Sequence, residues 1–137
     1  MSTNAELSIT TRQAREIIDV TAGVASRASG LPDGLLIVSA PHTTVALFVS
    51  ELDDGLRDDY MKIAGSLFAA ARPFSHRKNN NPNTEAHAIS AMFGTSVAVS
   101  VTDGKLDLGT YQRILLFELD GPKQRTVRVR HVAGKEA

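Results

Sequence analysis

The chain alternates short apolar runs with polar, turn-forming stretches, and the spacing within each run predicts its element. Leu7 and Ile9 alternate with Ser8 and Thr10, so Glu6 to Thr10 reads as a strand. Thr21 to Ala28 predicts a short helix, stopped by Gly30 and Pro32. Gly34 to Val38 and Thr44 to Val49 are apolar runs of strand length with little alternation, which predicts strands covered on both faces. Leu56, Tyr60, Ile63, Leu67 and Phe68 form a helical stripe, with Asp53 or Asp54 suited to its N-cap and Arg72-Pro73 to its end. Asn83 suits the N-cap of a further helix running through Ala86, Ile89 and Met92-Phe93 to Gly94.

The last third returns to strand patterns. Ser96 to Thr102, Ile114 to Leu119 and Thr126 to Val132 are separated by turns at Asp103-Gly104 and Asp120-Gly121. Strands at both ends with two or three helices between them predict an α+β class: one domain over residues 1–137, with a mixed, largely antiparallel sheet or sandwich.

Composition narrows the function. Lys plus Arg and Asp plus Glu stand at 15 each, so a nucleic-acid partner is disfavoured, since its sequence-independent affinity needs excess cation. With no cysteine there are no disulfides, thiolate metal sites or cysteine nucleophiles, in keeping with a cytoplasmic setting. The segment Met1 to Glu6 lacks the basic start and apolar core of a signal peptide. No apolar run is long enough to span a bilayer, so no membrane partner is expected.

The candidate chemistry lies in three polar, turn-bounded segments: Pro41-His42-Thr43-Thr44, Phe74-Ser75-His76 and Asn83-Thr84-Glu85-Ala86-His87. Imidazole is both a common metal ligand and a proton carrier near neutral pH. His87, early in its helix, lies near unpaired amides, with Arg77 and Lys78 just upstream. That combination suits a phosphate or carboxylate. Glu51 and Glu118 are carboxylates able to orient a histidine, and Thr43 stands beside His42. His131 shares parity with Val127 and Val129 and reads as packed, while Asp103 and Asp120 read as turn residues. No phosphate-binding glycine loop, dinucleotide fingerprint, nucleophile elbow or zinc-protease motif occurs, and no organic cofactor is implied.

Taken in order, these segments resemble the YjbQ/UPF0047 family. The resemblance continues through Gly94, Asp103-Gly104-Lys105-Leu106-x-Leu108-Gly109-Thr110 and Glu118-x-Asp120-Gly121-Pro122. His42, His76 and His87 fall on the family's recurrent histidines, with Asn83, Glu51, Gln112 and Glu118 on further recurrent positions. The resemblance implies an α+β homotrimer whose histidines line pockets. It also implies a divalent metal (zinc, magnesium or manganese), a small phosphorylated or anionic ligand and weak thiamine-phosphate synthase activity. Within that expectation His42, His76 and His87 are metal ligands and, with Glu51 and Glu118, catalytic groups, while Asn83, Gln112, Thr43 and Arg77 hold the ligand. A non-catalytic binder of an anionic metabolite is the alternative. Arg77 to Pro82 carries Arg, Lys and Asn where the family has an acidic, glycine-containing stretch, which favours an anion over a metal.

Overall fold

A computed structural model describes residues 4–134; Met1 to Thr3, part of the segment judged not to be a signal peptide, lies outside them. The elements in order are β1 (Asn4–Thr10), β2 (Glu16–Asp19), α1 (Thr21–Ala28), β3 (Gly34–Ser39), β4 (Val45–Ser50), α2 (Asp54–Ser66), α3 (Thr84–Phe93), β5 (Ser96–Thr102), β6 (Lys105–Leu106), β7 (Arg113–Glu118) and β8 (Gln124–Ala133). Among the described residues all strand pairings are antiparallel. They build a five-stranded sheet, β1-β8-β3-β5-β6, and a three-stranded sheet, β2-β7-β4. The fold is therefore the expected α+β class, as one sandwich with helices.

The two sheets close on a shared core. Leu36, Val38, Val99, Val101, Val127 and Val129 of the larger sheet meet Val45, Leu47, Ile114 and Leu116 of the smaller, with Val24 of α1 packed among them. The other face of the smaller sheet, through Ala46, Leu115 and Phe117, is covered by Ala64 of α2 and by Ala86 and Ile89 of α3. Strand β7 thus lies between two apolar layers, which is why Ile114 to Leu119 shows no alternation at all.

Strand β3 departs from its reading. Its apolar run predicted two covered faces, but Leu35 and Ile37 are 42% and 37% exposed while Leu36 and Val38 are buried. It belongs to the larger sheet, which has the core on one side only. The turn at Asp120-Gly121 also joins β7 to β8 across the two sheets rather than closing a hairpin. It needs glycine: a Cβ on Gly121 would lie 2.2 Å from the Gln13 carbonyl oxygen and 2.7 Å from Glu118 Cγ. Helix α2 begins as read, with Asp53 accepting from Leu56 N at 2.7 Å. It ends earlier than read, at Ser66, and a 3₁₀ turn at Ala69–Ala71 completes the path to Pro73.

Candidate functional site

Strand parity builds the floor of the site. Glu118, on the same face of β7 as Ile114 and Leu116, points between the sheets, and Arg125 does the same on β8 with Val127 and Val129. Their side chains are 0% and 5% exposed and meet as a bidentate pair, Arg125 Nε on Glu118 Oε1 at 2.8 Å and Nη2 on Oε2 at 2.5 Å. A buried charge pair persists only when its remaining sites are bonded. Thr11 Oγ1 donates to Oε1 at 2.8 Å, and the amides of Leu119 and Asp120 donate to Oε2 at 3.0 and 3.2 Å. Arg125 Nη2 also reaches Thr44 Oγ1 at 2.8 Å. Burial pushes the Glu118 carboxyl up, but the bonds from Arg125, Thr11 and Asp120 N outweigh it and hold it below the ordinary range.

Above that floor is an open cavity of about 650 Å³. One wall is the β3–β4 connection with Pro41, His42, Thr43 and Thr44; the other is the loop before α3 with His76, Lys78, Asn79 and Asn81, and α3 itself with Asn83 and His87. Asp120, Lys123 and Arg125 complete the lining from the β7–β8 crossover. The three histidines read from the sequence do converge on one cavity. His76 and His87 stand edge to face, with ring centroids 5.0 Å apart.

The ring of His42 has a defined role in this arrangement. Its Nε2 accepts the Thr126 amide at 3.0 Å, and a backbone N–H can only donate. The neutral ring therefore carries its proton on Nδ1, leaving a donor as its second group. Burial and the neighbouring Arg125 cation hold His42 below the ordinary histidine range, which favours that neutral form.

Among the described residues, no three His, Asp or Glu side chains are grouped to hold a metal ion. The lone pair that His42 would offer a metal already accepts the Thr126 amide. The histidines thus do not fit the three-ligand divalent-metal centre that the resemblance implies.

Other residues fall differently from their reading. Arg77, Glu51, Gln112 and Glu118 do not line the cavity, whereas Thr43 does. Glu51 is exposed beyond β4, and Gln112 folds back so that its Oε1 accepts from Gly109 N at 2.7 Å. Glu118 serves Arg125 rather than orienting an imidazole. Asn83 stands at the N-cap position of α3 but makes no capping bond with its side chain. Its Nδ2 donates to Asp120 Oδ2 at 2.9 Å instead. Asp120 is thus more than a turn residue, and its role, like that of Lys123 and Arg125, was hidden because only the crossover between sheets brings these groups to the histidines. His131 is packed as read, with Nε2 2.8 Å from the Pro32 carbonyl oxygen.

Comparisons with known proteins bear on the family and the fold. The family described as UPF0047 protein YjbQ-like matches residues 5–134. The chain belongs to that family. A UPF0047 protein of Archaeoglobus fulgidus is 41% identical over 125 residues, covering 91% of this chain and 98% of the relative. The UPF0047 protein YugU of Bacillus subtilis is 33% identical over 129 residues, covering 90% and 95%. Among solved structures, a hypothetical protein from Aeropyrum pernix matches with a TM-score of 0.89 at 34% identity, covering 96% of this chain and 99% of that one. A YbjQ-like protein of unknown function from Sulfolobus solfataricus matches at 0.90 and 27% identity, covering 98% and 99%. The UPF0047 fold is thus shared over nearly the whole chain. Among the described residues, no helix is long and apolar enough to cross a membrane.

Proposed function

We propose that the cavity binds a small phosphorylated molecule through its phosphate or pyrophosphate group. The observation that carries this reading is His42: with Nε2 accepting from Thr126, the ring offers an N–H to a ligand rather than a lone pair to a metal. Lys78 adds a positive charge to the same lining and forms no ion pair among the described residues, whereas Lys123 and Arg125 are paired with Asp120 and Glu118. Asn81, Thr43 and Asn79 supply neutral polar groups around them.

The weak thiamine-phosphate synthase activity implied by the resemblance belongs to the same proposal. Lys78, the cavity lysine without an ion pair among the described residues, would take up the charge of a departing pyrophosphate. A homotrimer is proposed on the apolar surface: Ile63, Leu67 and Phe93 are 49%, 43% and 57% exposed, the kind of patch that association covers. A cytoplasmic location is proposed on the cysteine-free sequence.

The test is calorimetric titration of chelator-treated protein with inorganic phosphate and pyrophosphate, beside Lys78→Ala and His42→Ala. Binding without added metal, weakened in both folded variants, supports the reading. Binding that appears only when zinc, magnesium or manganese is added would overturn it.

A further inference from the structure

The cavity has two walls that belong to different parts of the fold. His42, Thr43, Thr44 and Arg125 ride on strands or their immediate connections, and two packed sheets hold those in place. His76, Lys78 and Asn79 ride on the loop before α3, where Lys78 to Asn80 forms a 3₁₀ turn with Asn79 and Asn80 at φ of 55° and 58°. That loop buries little apolar surface: residues 75 to 80 are all exposed. Packing therefore holds α3 to the smaller sheet through Ala86 and Ile89, but it does not hold the loop part of the second wall against the first.

Hydrogen bonds do. Asn81 Nδ2 and Asn83 Nδ2 both donate to Asp120 Oδ2, at 3.0 and 2.9 Å, and Lys123 Nζ approaches the same oxygen at 3.0 Å. Among the described residues, these two asparagine bonds are the ones that tie residues 74–83 to the strands and their connections; the backbone bonds of the segment close on itself or on α3. One carboxylate oxygen thus gathers the loop, the start of α3 and the β7–β8 crossover. The three donors hold Asp120 below the ordinary aspartate range against its partial burial, so it is a charged acceptor at neutral pH.

We infer that Asp120 is a positioning residue that sets the separation of the two cavity walls, and with it the fit of the phosphate group. The inference rests on the proposed function for its ligand, but not for the clasp itself. Asp120 does not help the ligand by its charge, which repels an anion. Its contribution is to hold His76 and Lys78 facing His42 and Arg125, where a displacement of about 1 Å is enough to spoil a multi-point site.

Two readouts test this in the full chain: amide hydrogen exchange across residues 74–84, and affinity for inorganic phosphate. Asp120→Ala removes the acceptor, so exchange in 74–84 should rise about tenfold while β4 and β7 stay unchanged. Phosphate affinity should fall about tenfold. Asp120→Asn keeps one acceptor oxygen for the two asparagines and drops the repelling charge. It should return loop exchange to within about threefold of wild type and bind phosphate at least as well. A general loss of folding stability would not be rescued in that way. Asn81→Ala reaches the clasp from the other side and should raise exchange in the same segment, which keeps the test open if Asp120→Ala does not fold. Unchanged loop exchange in Asp120→Ala, or Asp120→Asn behaving like Asp120→Ala, would overturn the inference. If wild type fails to bind phosphate while loop exchange follows the pattern above, the clasp stands and the proposed ligand falls.

Discussion

Arg125 and Lys78 both bring a positive charge to the cavity, yet they are held by opposite means. Arg125 is 5% exposed and bonded to Glu118 and Thr44, and its position is fixed by the register of β8 in the larger sheet. Lys78 is exposed on a loop whose hydrogen bonds to the strands and their connections, among the described residues, all end on Asp120. The difference separates two jobs that charge can do. At the floor, charge is spent on folding and is neutralised before any ligand arrives. At the rim it is left available, and its cost in stability is small because water still solvates it.

The largest effect should come from breaking the floor. Glu118→Ala strands Arg125 without its partner between the sheets, and a cost of about 3–5 kcal/mol is expected, read as a lowered denaturation midpoint. Gly121→Ala presses on the same junction through the Gln13 carbonyl and Glu118, where a Cβ would stand at 2.2 and 2.7 Å. Its expected cost is about 1–3 kcal/mol. Either variant retaining wild-type stability would mean that the junction is not what holds the two sheets together at that end.

Acid should reach the two regions in sequence. His42 is held below its ordinary value, so the unfolded chain takes up that proton first. Its contribution is complete above about pH 6.5 and is lost as pH falls through the lowered folded value. Glu118 and Asp120 are also depressed, so their contributions are complete above about pH 4 and are lost as pH falls further. A stability-against-pH series should show a first, shallow decline that His42→Gln removes and a steeper one that it leaves.

The smallest structural effect should come from the rim. Lys78→Ala should change stability by no more than about 0.5 kcal/mol and yet weaken phosphate binding several-fold. A large stability loss with unchanged binding would reverse the assignment of floor and rim.

How much of this was legible in the chain follows from the range of each interaction. Helix α1, the N-cap at Asp53 and strands β5 and β7 were readable because their signals are local: apolar spacing, a capping aspartate, glycine turns. The two-faced burial wrongly read into β3 shows the limit, since an apolar run does not say which sheet it joins. Strand β2 was missed: Glu16 to Asp19 carries only Ile17 and Ile18, too short a pattern to stand out. The histidines were found because of their residue type. Asp120 and Arg125 were passed over because a turn aspartate and a strand arginine look ordinary until β7 and β8 part into different sheets. Gln112, read from the family pattern alone, and Glu51, read first as a carboxylate able to orient a histidine, lie away from the cavity.

The central claim is that the pocket presents donors to an anion rather than lone pairs to a metal, and the His42 ring tests it most directly. Nitrogen NMR of histidine-labelled protein at neutral pH should show Nδ1 protonated and Nε2 unprotonated, with the Nδ1–H signal moving when inorganic phosphate is added and unmoved by zinc. An Nε2-protonated ring whose Nδ1 shifts on zinc and ignores phosphate would contradict the account.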